Sequence, residues 1–268
     1  MKFSAQFRPK KANKISDGDA GDKPLSSGDK ANDKVEVDAL AQQIAELQNV
    51  FYAAHQHKLL VVLQGMDTSG KDGTVKDVLG RIDPLGIRSV AFKAPTSVEK
   101  DHDYLWRIHR EMPARGEIVI FNRSHYEDVL IARVHDWIDE DERKRRLGQI
   151  CDFERMLVET GTVVLKFFLH ISKDEQKGRL EDRLADPDKH WKFDLQDIEE
   201  RKSWDAYQDA YTVAINATDT DHAPWFIIPA NSKTHRNLAI ASILLETLEG
   251  MKLAYPPAKP ELKNLKII

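Results

Sequence analysis

Residues 59–74 read LLVVLQGMDTSGKDGT: an apolar run, then Gly65, four residues, Gly70 and Lys71. After Gly70 the apolar period changes, with Val75, Val78, Leu79 and Ile82 falling at helical spacing. Strand, glycine-framed turn and helix in that order form a phosphate-binding loop, whose backbone N–H groups and lysine face anionic oxygens at a helix N-terminus. A strand of this kind is buried on both sides, so the chain is committed to a parallel sheet under helices. A turn with a solvated lysine leaves the glycine spacing unexplained.

The rest of the chain repeats the alternation. IRSVAF, EIVIF, TVVLKFFLHI and PWFIIPA read as further strands, the third of these four carrying an internal Lys166. Helices are expected over KDHDYLWRIHREM, HYEDVLIARVHDWI and residues 141–159, with a closing helix through Leu238, Ile240, Leu244, Leu245 and Leu248. An earlier helix from Val35, through Leu40, Ile44, Leu47 and Phe51, leads into the first strand. Residues 1–34 are rich in Gly, Asp, Lys and Ser and offer little to bury, so they are expected to be disordered or draped over a neighbouring surface. Residues 35–268 would form one domain. Its insertion at about 172–203 opens on Ser172 and Glu175 in capping-box spacing, breaks at Asp186, Pro187 and Asp188, and gives way to a helix with Trp204, Tyr207, Tyr211 and Ile215. Helices joined by a charged tip would make a lid over a phosphate site.

Composition restricts the partners. The formal net charge of −4 offers no global attraction for nucleic acid, so an anionic ligand needs a local basic site. No apolar stretch reaches the roughly 18 residues that span a bilayer, which argues against membrane insertion. The single cysteine, Cys151, excludes an internal disulfide, and MKFSAQFRPKK lacks a signal-peptide core, so a cytoplasmic location is expected.

Ordinary loops of this type carry Ser or Thr after the lysine to hold Mg²⁺, and here Asp72 stands there. Asp67 lies inside the loop, where a carboxylate repels phosphate unless a divalent cation sits between them. Asp67 is therefore the candidate metal ligand, with a helix cap or turn stabiliser as the plainer reading. Asp72 suits the first turn of a helix with no metal at all. The candidate phosphate and nucleotide contacts are Gly65, Thr68, Ser69, Gly70, Lys71, Asp72, Gly73 and Thr74. At the end of the third strand, Asn122, Arg123 and Glu127 combine amide, guanidinium and carboxylate, which suits a second metal contact and a phosphate clamp. The competing reading is an Arg123–Glu127 pair on a solvated helix. Arg179 and Arg183 lie four apart, share a helix face and would descend together on a transferring phosphoryl group, or else form salt bridges with Glu175, Glu181 and Asp182. The histidines show no metal-ligand spacing, and Tyr104 and Trp106 suit packing.

GMDTSGKDG, FNRSHYEDV and SKDEQKGRLEDRLADPDKHWKF, in that order, closely resemble the polyphosphate kinase 2 family, and the resemblance extends from about residue 35 to 251. It implies a three-layer α/β phosphate-binding-loop kinase fold like that of nucleoside monophosphate kinases, with a five-stranded parallel sheet and a helical lid. It also implies Mg²⁺, or Mn²⁺ in its place, and phosphoryl transfer between inorganic polyphosphate and AMP, ADP, ATP and related nucleotides. A homo-oligomer, dimer or tetramer, is expected on the same ground. By resemblance Asp67 is the metal-binding loop aspartate, Lys71 the phosphate lysine, Arg123 the arginine after the second motif, and Arg179 and Arg183 the lid arginines. Many members have Asp where this chain has Asn122 and Asn where it has Glu127, and the exchange resembles the subgroup that phosphorylates both nucleoside mono- and diphosphates. Two other readings stay open: a kinase of the same fold that uses ATP on a small acceptor, and a nucleotide-binding switch.

Overall fold

A computed structural model describes residues 3–10 and 14–261. The chain runs through α1 (Phe3–Phe7), α2 (Lys30–Ala54), β1 (Lys58–Gln64), α3 (Lys71–Leu79), β2 (Ile87–Ala91), the short turns α4 (Ser97–Lys100) and α5 (Trp106–His109), and β3 (Ile118–Asn122). It continues through α6 (Ile131–Val134), α7 (Glu140–Glu159), β4 (Thr162–His170), α8 (Lys173–Ala185), α9 (Leu195–Lys202), α10 (Trp204–Thr218), β5 (Trp225–Pro229) and α11 (Lys233–Gly250). The five strands form one sheet in the order β2-β3-β1-β4-β5, and every neighbouring pair is parallel.

The central strand β1 is the apolar run that the sequence singles out, and Leu59 to Leu63 are fully buried. It lies between β3 and β4 because its side chains have no solvent face to spare. Helices α2, α3 and α11 pack with one another in one layer, while α7 packs against α10 and β4 in the other. Burial of these apolar faces is the main favourable term for the fold. Leu63 of β1 pairs with Asn122 of β3, so the segments leaving the two strands emerge side by side at the carboxyl edge of the sheet. Ligands of open α/β sheets bind in such a crevice. Among the described residues no helix is long and apolar enough to cross a membrane.

Three expectations about elements need correction. Described residues of 1–34 are packed in place, which realises the draped alternative and not disorder: Phe7, Ile15 and Ala20 are buried, the Ser4 hydroxyl donates to Glu246 at 2.7 Å, and Lys173 N donates to Asp17 at 2.9 Å. Polar contacts join these three irregularly spaced apolar anchors to the core, Arg8 pairing with Asp219 at 3.0 Å and Asp19 with His170 at 3.0 Å. Residues 1–2, 11–13 and 262–268 lie outside the described residues. Helix α2 starts at Lys30, ahead of its apolar stripe, because Asp29 caps it through Ala31 N at 2.7 Å. The helices expected over KDHDYLWRIHREM and HYEDVLIARVHDWI are only short turns. Asp103 takes Leu105 N at 2.9 Å in the first, and Ser124 caps a 3₁₀ turn over His125–Asp128 in the second. Short polar side chains that bond the nearby backbone compete with helix continuation.

Candidate active site

The loop after β1 takes its shape from two glycines. Gly65 has φ 151°, and a Cβ there would sit 2.7 Å from the carbonyl oxygen of Leu169; Gly70 has φ 101°, and a Cβ there would meet Arg236 Nη1 at 1.7 Å. Only glycine tolerates both conditions. The N-cap of α3 is Gly70, which has no side chain to occupy the first N–H groups, so these remain free for an anion. Lys71 is almost buried and folds back over the loop, donating to Gly65 O at 2.8 Å and Met66 O at 3.3 Å. Burial and the neighbouring Arg123 pull its ammonium down to about 8, against the opposing pull of Asp67 and Glu127.

Across the crevice, Arg123 follows β3 in the left-handed region at φ 65°. Its backbone N–H donates to Leu63 O at 3.1 Å, which ties it to β1. Its guanidinium bridges two carboxylates, through Nη2 to Asp67 at 2.5 Å and through Nη1 to Glu127 at 3.4 Å. Glu127 above all, then Asp67, raises the Arg123 pKa in spite of burial. Arg123 lies before the 3₁₀ turn and Glu127 within it, so the pair lines a cleft and is not a solvated helical i,i+4 pair. Asn122 donates through Nδ2 to Asp72 Oδ1 at 2.6 Å.

The lid segment closes the third side. Ser172 caps α8 through Glu175 N at 3.2 Å, and Gln176 Nε2 donates to Asp67 O at 3.2 Å. Arg183 faces the crevice, bonding Lys192 O at 3.3 Å and Asp197 at 3.4 Å. The expectation that Arg179 joins it there is not met. Arg179 is buried and donates to Thr68 O at 2.8 Å, Ala230 O at 2.6 Å, Asn231 O at 3.0 Å and Glu175 at 2.7 Å. Arg179 lies one turn before Arg183 on α8, where the base of the loop and the end of β5 bury its guanidinium among the carbonyls of Thr68, Ala230 and Asn231.

Between these walls lies a cavity of about 560 Å³, lined by Asp67, Thr68, Gly70, Lys71, Asp72 and Gly73 from the loop, Ala91, Phe92 and Lys93 after β2, Asn122 and Arg123, and Arg183, Lys189, Lys192, Asp194 and Asp197. Six of these are cationic and four carboxylic, so the cleft is locally positive on a chain with a formal net charge of −4. Burial, then Asp67, raises Asp197 to about 6. Behind the Arg123–Asp67 pair is a smaller, acidic recess lined by Glu127, Glu200, Tyr207 and Tyr211 among others. Ser69 and Thr74 are buried beneath the loop and do not line the main cavity, so of the expected contacts they support the loop from below. The sequence reading missed Lys93, Lys189, Lys192, Asp197 and Arg236. Lys189 and Lys192 had a signal, since DPDKHWKF places two cations at the helix-breaking tip; Arg236 had none, because its place under Gly70 depends on how α11 docks.

Comparison with known proteins bears on this geometry. The family model "Polyphosphate kinase 2 (PPK2)" matches residues 27–256. A protein of Meiothermus ruber named AMP/ADP-polyphosphate phosphotransferase is 51% identical over 229 residues, covering 85% of each chain. One from Rhodopseudomonas palustris, named ADP-polyphosphate phosphotransferase, is 40% identical over 231 residues, covering 82% of this chain and 80% of its own. The crystal structure of polyphosphate kinase 2 from Arthrobacter aurescens TC1 superposes with a TM-score of 0.88 at 44% identity, over 97% of this chain and 95% of that one. A positive cleft above a phosphate-binding loop with an internal aspartate, on a chain matched along most of its length, makes this protein a member of the polyphosphate kinase 2 family.

Proposed function

We propose that the protein transfers a phosphoryl group from inorganic polyphosphate to AMP and to ADP, giving ADP and ATP. The observation that carries this reading is the positive, open cavity of about 560 Å³ whose cations come from both the rigid loop and the α8–α9 tip. Lys71, the free N–H groups of α3 and Arg123 hold the reacting phosphates against the sheet. Arg183, Lys189 and Lys192 reach them from the lid, so successive phosphates of a uniform chain find the same partners. The attacking oxygen is on the terminal phosphate of the nucleotide. It forms a bond to the terminal phosphorus of the polyphosphate as that phosphorus loses its bridging oxygen, and the shortened polyphosphate leaves with the bond electrons. The protein's part is positioning and charge neutralisation, with no covalent enzyme intermediate.

A divalent cation, Mg²⁺ or Mn²⁺, fits the donors present. Among the described residues no three His, Cys, Asp or Glu groups converge on one point, and Asp67 and Glu127 are the two carboxylates that Arg123 bridges beside the loop. Mg²⁺ is commonly held by one or two carboxylates with substrate phosphates and water completing its shell. It would neutralise charge on the transferring phosphate. Asn122 gives its amide nitrogen to Asp72, which leaves Oδ1 as the atom through which it would meet the cation or its water shell. Residues 172–203 act as the lid, and the protein works as a cytoplasmic homo-oligomer, dimer or tetramer.

The test is incubation of purified protein with AMP, polyphosphate and Mg²⁺ in the absence of ATP. ADP followed by ATP is the expected product sequence. No product there, with transfer when ATP is the donor, would replace this reading by an ordinary ATP-dependent kinase; tight nucleotide binding without turnover in either mixture would leave a switch.

A further inference from the structure

Beneath the loop that carries Arg123 lies a buried ion pair that the transfer reaction does not touch. Glu154 of α7 and Lys166 of β4 are both fully buried, as is His125. The Lys166 ammonium has three donors and meets three acceptors: Glu154 Oε2 at 2.5 Å, the Tyr126 hydroxyl at 3.0 Å and Thr218 O at 2.9 Å. Glu154 Oε1 accepts from the Tyr126 hydroxyl at 2.9 Å and stands 3.3 Å from His125 Nε2. Trp225 Nε1 completes the cluster on Thr218 Oγ1 at 2.9 Å. His125 Nδ1 has no partner among the described residues, so Nε2, facing Glu154, is the ring nitrogen that joins this residue to the pair.

Such a pair is poorly explained as a source of stability. Desolvating two charges offsets most of their attraction, and apolar replacements of similar volume are often as stable. The connectivity accounts for it better. His125 and Tyr126, gripped from below, are two of the three residues between Arg123 and Glu127 in the chain. Above them, Ser124 Oγ accepts from Tyr126 N at 3.2 Å and from Gln64 Nε2 at 3.0 Å, and Arg123 N is tied to Leu63 O at 3.1 Å. Arg123 is thus held from both sides in a left-handed conformation (φ 65°) that a residue with a side chain does not adopt by preference. We propose that the Glu154–Lys166 pair, acting through Tyr126 and His125, is a positioning device that fixes Arg123 and Glu127 at the reacting phosphate.

The inference rests on the transfer activity proposed above, and its test separates the two. Two variants are made: Glu154→Gln/Lys166→Met, which removes both charges together, and Tyr126→Phe, which removes only the hydroxyl joining the pair to the loop. Each is compared with the unmodified protein for thermal midpoint, for kcat and KM with ADP and polyphosphate, and for the NMR signal of the Arg123 side-chain Nε–H. The expected result is a folded protein whose kcat falls about tenfold to a hundredfold, as misplacement of about 1 Å produces, with KM little changed and the Arg123 signal shifted or broadened. A folded variant that keeps wild-type kcat, or loses kcat with the Arg123 signal unmoved, overturns the proposal. If the double variant does not fold, Tyr126→Phe decides by the same criteria. If the unmodified protein makes no ADP or ATP, it is the assigned activity that fails, and the Arg123 signal still reads the positioning.

Discussion

Arg123→Ala tests the core of the site because it should move two observables in opposite directions. The guanidinium spans Asp67 at 2.5 Å and Glu127 at 3.4 Å, so it competes with any cation for both carboxylates while it waits for phosphate. Its side chain is 39% exposed, which places each pair in the range of partly screened ion pairs, about 0.2–1 kcal/mol. The short Asp67 pair belongs near the top of that range and the longer Glu127 pair near the bottom, so together about 1–1.5 kcal/mol is released by the substitution. At about 1.4 kcal/mol per factor of ten, free protein should bind Mn²⁺ roughly tenfold more tightly, read by the signal of unbound ion in electron paramagnetic resonance. Turnover should move the other way. Loss of a preorganised donor to developing charge costs about 10²–10³ in kcat, measured as ATP formed from ADP and polyphosphate. Unchanged or weaker metal binding by the variant would mean that Arg123 does not shield the carboxylates, and retained turnover would remove it from the reaction.

Three further outcomes follow from single features of the cleft. Because Lys71 is pulled down to about 8, it loses its charge as pH rises through that value, so kcat/KM for polyphosphate should fall above about pH 8. Bound phosphate favours the ammonium, so the alkaline limb of kcat should lie higher, and a kcat/KM profile flat to about pH 9.5 would contradict this. The two lid arginines should separate: Arg179→Ala strands three carbonyls and should cost about 3 kcal/mol in urea unfolding, while Arg183→Ala should leave stability within about 0.5 kcal/mol and lower kcat. Equal stability losses would refute the division. Gly70→Ala forces a Cβ to 1.7 Å from an Arg236 guanidinium pinned by Asn237 and Ser69, and should lower stability by about 1–3 kcal/mol and abolish transfer; wild-type activity would show that the loop can rearrange.

What could be read in the sequence was what local order encodes. The strand, the two glycines and the helix after them sit between Lys58 and Leu79, so their relation needs no knowledge of the remaining chain, and the alternation of strands and helices fixes a parallel sheet by sterics alone. The acid in the loop and the Asn122–Arg123–Glu127 set could be picked out because their strand ends are adjacent in any fold of this type. Arg179 shows where that reasoning stops. Helical spacing says that it shares a face with Arg183, but which part of that face meets the loop depends on how α8 docks. The N-terminal segment was illegible for a related reason: Phe7, Ile15 and Ala20 have no common period, and each finds its place only when α11, β4 and the start of α8 are already assembled. Lys166 stood out in its strand as a charge among apolar residues, and its partner Glu154 lies in a helix too rich in charge for one glutamate to be noticed.

The residue after Lys71 can now be given a role. In place of the usual metal-holding hydroxyl, Asp72 accepts from Asn122 Nδ2 at 2.6 Å through Oδ1 and faces Lys192 Nζ at 3.9 Å through Oδ2, so it joins the end of β3 to the tip of the lid. This arrangement requires an amide at 122. A carboxylate there would set two like charges face to face, costing about 1 kcal/mol in a setting close to water, since the Asp72 side chain is 68% exposed. The physical demand therefore couples the two positions: Asn122→Asp should impair transfer while Asp72 is present and be relieved when Asp72→Asn restores a neutral partner. In a double-mutant cycle on kcat/KM for ADP, the coupling should be about 0.5–1 kcal/mol, a factor of roughly two to five. Strict additivity would mean that the Asn122–Asp72 bond is broken when substrate binds, and that the lid tip closes on phosphate through Lys192 without first being held by Asp72.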